Sequence, residues 1–68
     1  MKVNNEKYII MLKDISAYER ILDEEGYLVT NIACADMYNN KDNAQETLSK
    51  LDEPNRFEVV KLKITYEF

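Results

Sequence analysis

Arg56–Phe68, RFEVVKLKITYEF, is the stretch whose reading decides the fold. From Val60 every second residue is apolar or aromatic (Val60, Leu62, Ile64, Tyr66, Phe68), and Lys61, Lys63, Thr65 and Glu67 alternate with them. That period of two turns one face of a β-strand toward a core and the other toward water. Phe57 and Val59 are apolar on the opposite parity, so the pattern slips at Val59–Val60. A β-bulge restores the phase with one extra residue; a local patch covered on both faces is the other way to account for it. Fully extended, thirteen residues reach about 43 Å, more than a domain of this size needs. The strand therefore bends, or part of it projects to meet another copy.

Working outward, Pro54 disfavours helical geometry at Glu53, so Asp52–Asn55 is the reversal into this strand. Lys41–Leu51 (KDNAQETLSKL) is the clearest helix. Asn39 or Asn40 can cap it, and Asp42 puts a negative charge in its first turn. Ala44, Leu48 and Leu51 share one face, and Glu46 and Lys50 are spaced for an i, i+4 pair.

At the other end, Met1–Glu6 is polar and expected to fray. Lys7–Lys13 (KYIIMLK) has the composition of a central strand covered on both faces. Asp14–Gly26 reads two ways. As a helix, it would place Ile15, Tyr18 and Leu22 on one face and Gly26 at the C′ position. But Asp23, Glu24 and Glu25 would then crowd the negative end of the helix dipole. As a hairpin, Ala17–Leu22 returns along the first strand. Asp23–Gly26 then forms a type I turn followed by a residue with positive φ. Turn chemistry favours the hairpin. Tyr27–Thr30 is then a third strand or the continuation of the hairpin, and Asn31–Tyr38 a short buried strand or bend. The expected class is α+β: a small antiparallel sheet in ββ(β)αβ order, with one helix on one face and the other face open unless a partner covers it.

Sixty-eight residues make one domain, and 46% hydrophobic with 32% charged residues is a globular composition. The single cysteine, Cys34, has no intrachain partner and is expected to be a small buried thiol. It favours a reducing, cytoplasmic setting. The apolar run Tyr8–Leu12 is too short for a signal peptide or a membrane span. A net charge of −4 disfavours both ordinary nucleic-acid binding and anionic membranes.

Four pieces also carry a resemblance: KYIIMLK (Lys7–Lys13), LDEEGYLVTNI (Leu22–Ile32), ADMYNNKDNAQETLSKL (Ala35–Leu51) and FEVVKLKITYEF (Phe57–Phe68). Together they resemble a group of small proteins of phages and prophages of Gram-positive bacteria. The resemblance implies a hairpin-like opening, an Asn/Lys/Asp-rich loop, a helix and a final strand, in a protein of mobile-element origin. It implies no catalytic residue.

Histidine is absent, which removes the usual general base and the commonest metal ligand. Gly26, the only glycine, makes no phosphate-cradling loop, and Asp23–Gly26 lacks the alternating oxygen ligands of a calcium loop. No catalytic residue, metal or cofactor is expected. The leading expectation is a non-catalytic accessory protein acting through protein contacts, with a homodimer as one form. A second is an inhibitor whose acids stand in for DNA phosphates: Glu19, Asp23, Glu24, Glu25, Asp52 and Glu53. With Tyr27 and Tyr66 these make up the candidate partner surface. A third stacks single-stranded nucleic acid on Tyr66 beside Lys61 and Lys63. Set against it, tyrosines commonly fill strand positions with the ring buried and the hydroxyl wet.

Overall fold

The computed structural model describes Met1–Phe68 as a four-stranded antiparallel sheet with one α-helix, an α+β fold. In chain order the elements are β1 (Lys2–Leu12), β2 (Ile21–Leu22), β3 (Leu28–Val29), α1 (Lys41–Ser49) and β4 (Phe57–Glu67). One 3₁₀ turn, Ile32–Cys34, precedes α1, and another, Pro54–Arg56, follows it. The strands lie in the order β3-β2-β1-β4, so the first strand of the chain pairs with the last, and β4 forms one edge of the sheet.

The β1–β4 ladder runs without interruption from Lys2 opposite Glu67 to Leu12 opposite Phe57. Every residue of β4 has one partner, so the expected bulge at Val59–Val60 is absent. The slip comes from cover on both sides of the sheet. Ile9 and Ile10 are adjacent and therefore point to opposite faces, yet they are 0% and 1% exposed. Ile9 packs with Ile21 and Ala35, joined by Met11, Val29, Val60 and Leu62. Ile10, Leu12, Phe57 and Val59 share the other face, where α1 lies against β1 and β4. Ala44 on α1 is fully buried, and Leu51 just beyond it lines a cavity with Leu22 and Phe57. We call the two sides the helix face and the opposite face. The opposite face is thus closed over Ile9 by the chain's own Ala35, and only further out is it left open.

Of Met1–Glu6, expected to fray, Lys2–Glu6 is strand instead, with Met1 bonded to Phe68 just beyond it. Paired along its length with Lys63–Glu67, that stretch gains ladder hydrogen bonds that its local composition does not advertise.

The hairpin reading of Asp14–Gly26 holds in a shorter form. Only Ile21 and Leu22 are strand, because Asp14 starts a local turn. Its carboxylate accepts from the Ser16 N–H (3.0 Å) and hydroxyl (2.6 Å), and its carbonyl from the Ala17 N–H. Arg20 closes the excursion. Its carbonyl accepts from the Leu12 N–H, and its guanidinium donates back to the Leu12 carbonyl. At the next corner the Gly26 N–H donates to the Asp23 carbonyl, and Gly26 sits at φ +88°, which favours glycine. The expected short buried stretch at Asn31–Tyr38 is a 3₁₀ turn that returns to the sheet. Ala35 bridges Asp23, and Tyr38 exchanges two backbone hydrogen bonds with Tyr8. Cys34, expected to be buried, is exposed on that turn.

Asn40 caps α1 by accepting from the Asn43 N–H at 2.8 Å, and the Glu46–Lys50 pair forms at 3.2 Å. The helix ends at Ser49, two residues before the expected Leu51. Seven of the 68 residues are buried, so each core side chain carries a large share of a small total.

Candidate interaction surface

Beyond Lys7 and Leu62 the β1–β4 pair leaves the body as a two-stranded ribbon, which helps make the molecule 42 Å long but only 25 and 20 Å across. Its tip joins the chain ends. The Met1 ammonium donates to the Phe68 carbonyl (2.9 Å), and the Phe68 N–H returns to the Met1 carbonyl (2.8 Å).

The ribbon is two-sided. On the helix face it carries Lys2, Asn4 and Glu6 against Lys61, Lys63, Thr65 and Glu67. Thr65 Oγ1 lies 2.9 Å from Asn4 Oδ1 across the ladder, and Lys61 reaches Glu6 at 3.2 Å. Both charges of that pair are half exposed, so water screens them and the pair adds little stability. On the opposite face stand Met1, Val3 and Asn5 against Phe68, Tyr66 and Ile64, so that β4 continues the apolar line of Val60 and Leu62 out of the core. No helix or loop covers them there. Val3 is 39%, Tyr66 50% and Phe68 80% exposed. A contiguous apolar stripe on a polar-backed ribbon is the kind of surface that marks interaction sites.

The ribbon also has a free edge. Because Phe68 bonds Met1, and Lys13 donates to the Arg56 carbonyl, the even-numbered residues of β4 aim their backbone groups at β1. Val59, Lys61, Lys63, Thr65 and Glu67 therefore aim theirs outward from the edge of the sheet, where no further strand lies.

The candidate partner residues divide between two ends of the molecule. Asp23 is held within its own turn, its carboxylate accepting from the Glu25 and Tyr27 N–H groups at 2.9 and 2.8 Å. Glu24, Glu25 and Tyr27 are exposed around that turn, and Glu19 is exposed on the excursion before β2. Asp52 and Glu53 line an open cavity of about 450 Å³ with Leu22, Gly26, Leu51, Arg56 and Phe57, which brings them near the same turn. Arg56 stands in that wall 2.8 Å from Glu53, so the acidic end contains its own cation, and Glu53 holds the guanidinium above its ordinary pKa. Tyr66 belongs to the other end, nine positions along β4 from Phe57, about 30 Å of extended strand. Tyr66 and the two lysines expected to flank it lie on opposite faces of the ribbon, so they form no stacking platform.

Ile15 and Tyr18, which a helix would have placed on one face, are both exposed on the excursion before β2. Hydrogen bonds from Ser16 hold the Asp14 carboxyl below the usual carboxylate range. Tyr38 moves the other way: burial, then its hydrogen bond to Asp36, raise its phenol, while Thr47 of α1 opposes them. No three His, Cys, Asp or Glu side chains converge as a metal site would require.

Sequence reasoning overlooked Met1, Val3 and Phe68 as surface residues. The signal was present in the alternation of Met1 and Val3 with Lys2 and Asn4, hidden by the low apolar content of Met1–Glu6. No helix is long and apolar enough to cross a membrane. Comparison with models of protein families, with curated proteins and with solved structures finds no match for this chain.

Proposed function

We propose that the chain is a small non-catalytic protein–protein interaction module, an accessory protein of phage or prophage origin working in the host cytoplasm. Its working part is the ribbon, whose apolar stripe meets a protein partner. One observation carries the reading: Val3, Tyr66 and Phe68 hold an apolar line in water, on the outer part of the β1–β4 pair, beyond its core residues Ile9, Ile10 and Leu12. Keeping such a stripe exposed invites nonspecific association unless something occupies it. Phage origin is supported by the resemblance of the four sequence pieces. The cytoplasmic setting is supported by a lone cysteine, which a reducing compartment leaves as a thiol.

The test is affinity capture from Gram-positive cytosol with three baits: the wild type, Tyr66→Asp/Phe68→Asp, and Glu24→Lys/Glu25→Lys. Both variants alter exposed residues, and their thermal unfolding is compared with the wild type first. Loss of the captured protein with the ribbon bait alone supports the reading. Loss with the acidic-turn bait alone overturns it in favour of an acidic inhibitor surface.

A further inference from the structure

We infer that the ribbon pairs with the ribbon of a second copy, β4 edge to β4 edge and antiparallel, about a two-fold axis at Ile64. This rests on reading the ribbon as an interaction surface and names an occupant for its edge.

An exposed strand edge with unpaired N–H and C=O groups is a template for another strand. In a two-fold antiparallel pair, residues directly opposite each other lie on the same face, so the centre falls on a residue and fixes all other pairings. Charge then selects among the centres. A centre at Leu62 sets Lys61 against the partner's Lys63, and centres at Lys61 or Lys63 set a lysine against itself. Like charges directly opposite disfavour pairing.

A centre at Ile64 sets Lys61 opposite the partner's Glu67 twice over, and Lys63 opposite the partner's Thr65. On the apolar side Ile64 then meets itself, Leu62 meets the partner's Tyr66 and Val60 the partner's Phe68. All four outward-facing residues from Lys61 to Glu67 fall at hydrogen-bonded positions, giving about eight backbone bonds across the interface. A centre at Thr65 also avoids like charges but pairs fewer residues. The ribbon's other edge offers only Lys2–Glu6, with Val3 facing the partner's Asn5. The edge lysines, commonly a guard against pairing, here act as a register filter. Because the axis stands perpendicular to the sheet, both apolar stripes come to lie on one side of a continuous eight-stranded sheet.

Sedimentation equilibrium of the full chain, from micromolar to near-millimolar concentration, tests this through substitutions that oppose or restore the pairing. Wild type is expected to dimerise. Thr65→Pro removes an outward N–H that β1 does not use, so it should abolish the dimer while thermal unfolding still shows a folded chain. Lys61→Glu and Glu67→Lys should each weaken self-association by about tenfold, as two symmetric pairs turn from attraction to repulsion. Mixing those two variants should restore association as a heterodimer, because every charge pair is then opposite again. Lys63→Glu, facing threonine, should leave the affinity near wild type. A chain monomeric throughout overturns the inference. So does a dimer that ignores Lys61 and Glu67, or one that Lys63→Glu disrupts. A monomer whose Tyr66→Asp/Phe68→Asp variant still loses the captured protein would remove the self-pairing and leave the interaction module standing.

Discussion

Two stretches of β1 differ in a way that defines this protein. At Ile9 and Ile10 the strand is closed on both sides; at Val3, six residues and about 20 Å away, the same ladder has no cover on either face. β1 pairs with β4 along both stretches, and at the body end its other edge is also bonded, Tyr8 to Tyr38 and Leu12 to Arg20. What differs for the side chains is whether a helix or loop lies above them. Backbone pairing alone contributes modestly to stability, because water offers the unfolded chain equivalent bonds, whereas removing apolar area from water contributes more. The body end is therefore expected to hold the fold together, and the ribbon end to be kept for contacts outside the chain.

The largest way to break that contrast is to truncate one residue at each end. Ile10→Ala is expected to cost about 2–5 kcal/mol, enough to unfold most of a domain this small, whereas Tyr66→Ala is expected to cost under about 1 kcal/mol. Urea denaturation of the two variants measures this, and comparable losses would mean that the ribbon is part of the core after all. A smaller effect is expected at the body end's tight corner. Gly26 sits at φ +88° with nothing within 4 Å of the position a Cβ would take. Gly26→Ala should therefore show backbone strain without steric clash, about 1–2 kcal/mol on the same urea scale. A neutral result would mean the turn relaxes freely.

The smallest effect is a titration. Tyr38 joins β1 to the turn before α1, and its phenol is raised above its ordinary value of 10.0 by burial and then by Asp36. The folded state thus favours the neutral phenol. Its contribution to stability is complete below the ordinary phenol value and is lost as pH rises through the folded one. Following tyrosinate absorbance should show one late-ionising group, and Asp36→Asn should bring it part of the way down. If that late step were unchanged in Asp36→Asn, the Asp36 contact would not be a cause of the shift.

Several elements were legible without coordinates because their signals are local. Asn40, Asp42 and the Ala44–Leu48 spacing specify α1, since capping, dipole and face all act within one or two turns. Asp23–Gly26 specifies a turn because few residues tolerate positive φ. The edges of elements were harder. β2 shrank to Ile21–Leu22 because Asp14 and Ser16 satisfy one another's polar groups before a strand can start. Met1–Glu6 gave only the weak alternation of Met1 and Val3 with Lys2 and Asn4, because what makes it a strand is a pairing partner about sixty residues away.

The candidate surface was read less well than the fold. Acidic residues were grouped by type, but Arg56 sits among them, and Tyr66 stands at the other end of β4. The period of two in Val60–Phe68 by itself determined that one face of the last strand is apolar. Local chemistry likewise determined that a capped helix precedes it and a glycine turn lies near the middle of the chain. Only the tertiary structure decided where that apolar face is covered and where it meets water. Burial depends on which distant segment (Ala35 over Ile9, α1 over Ile10, none over Tyr66) packs against it, and a strand's own alternation holds no record of that.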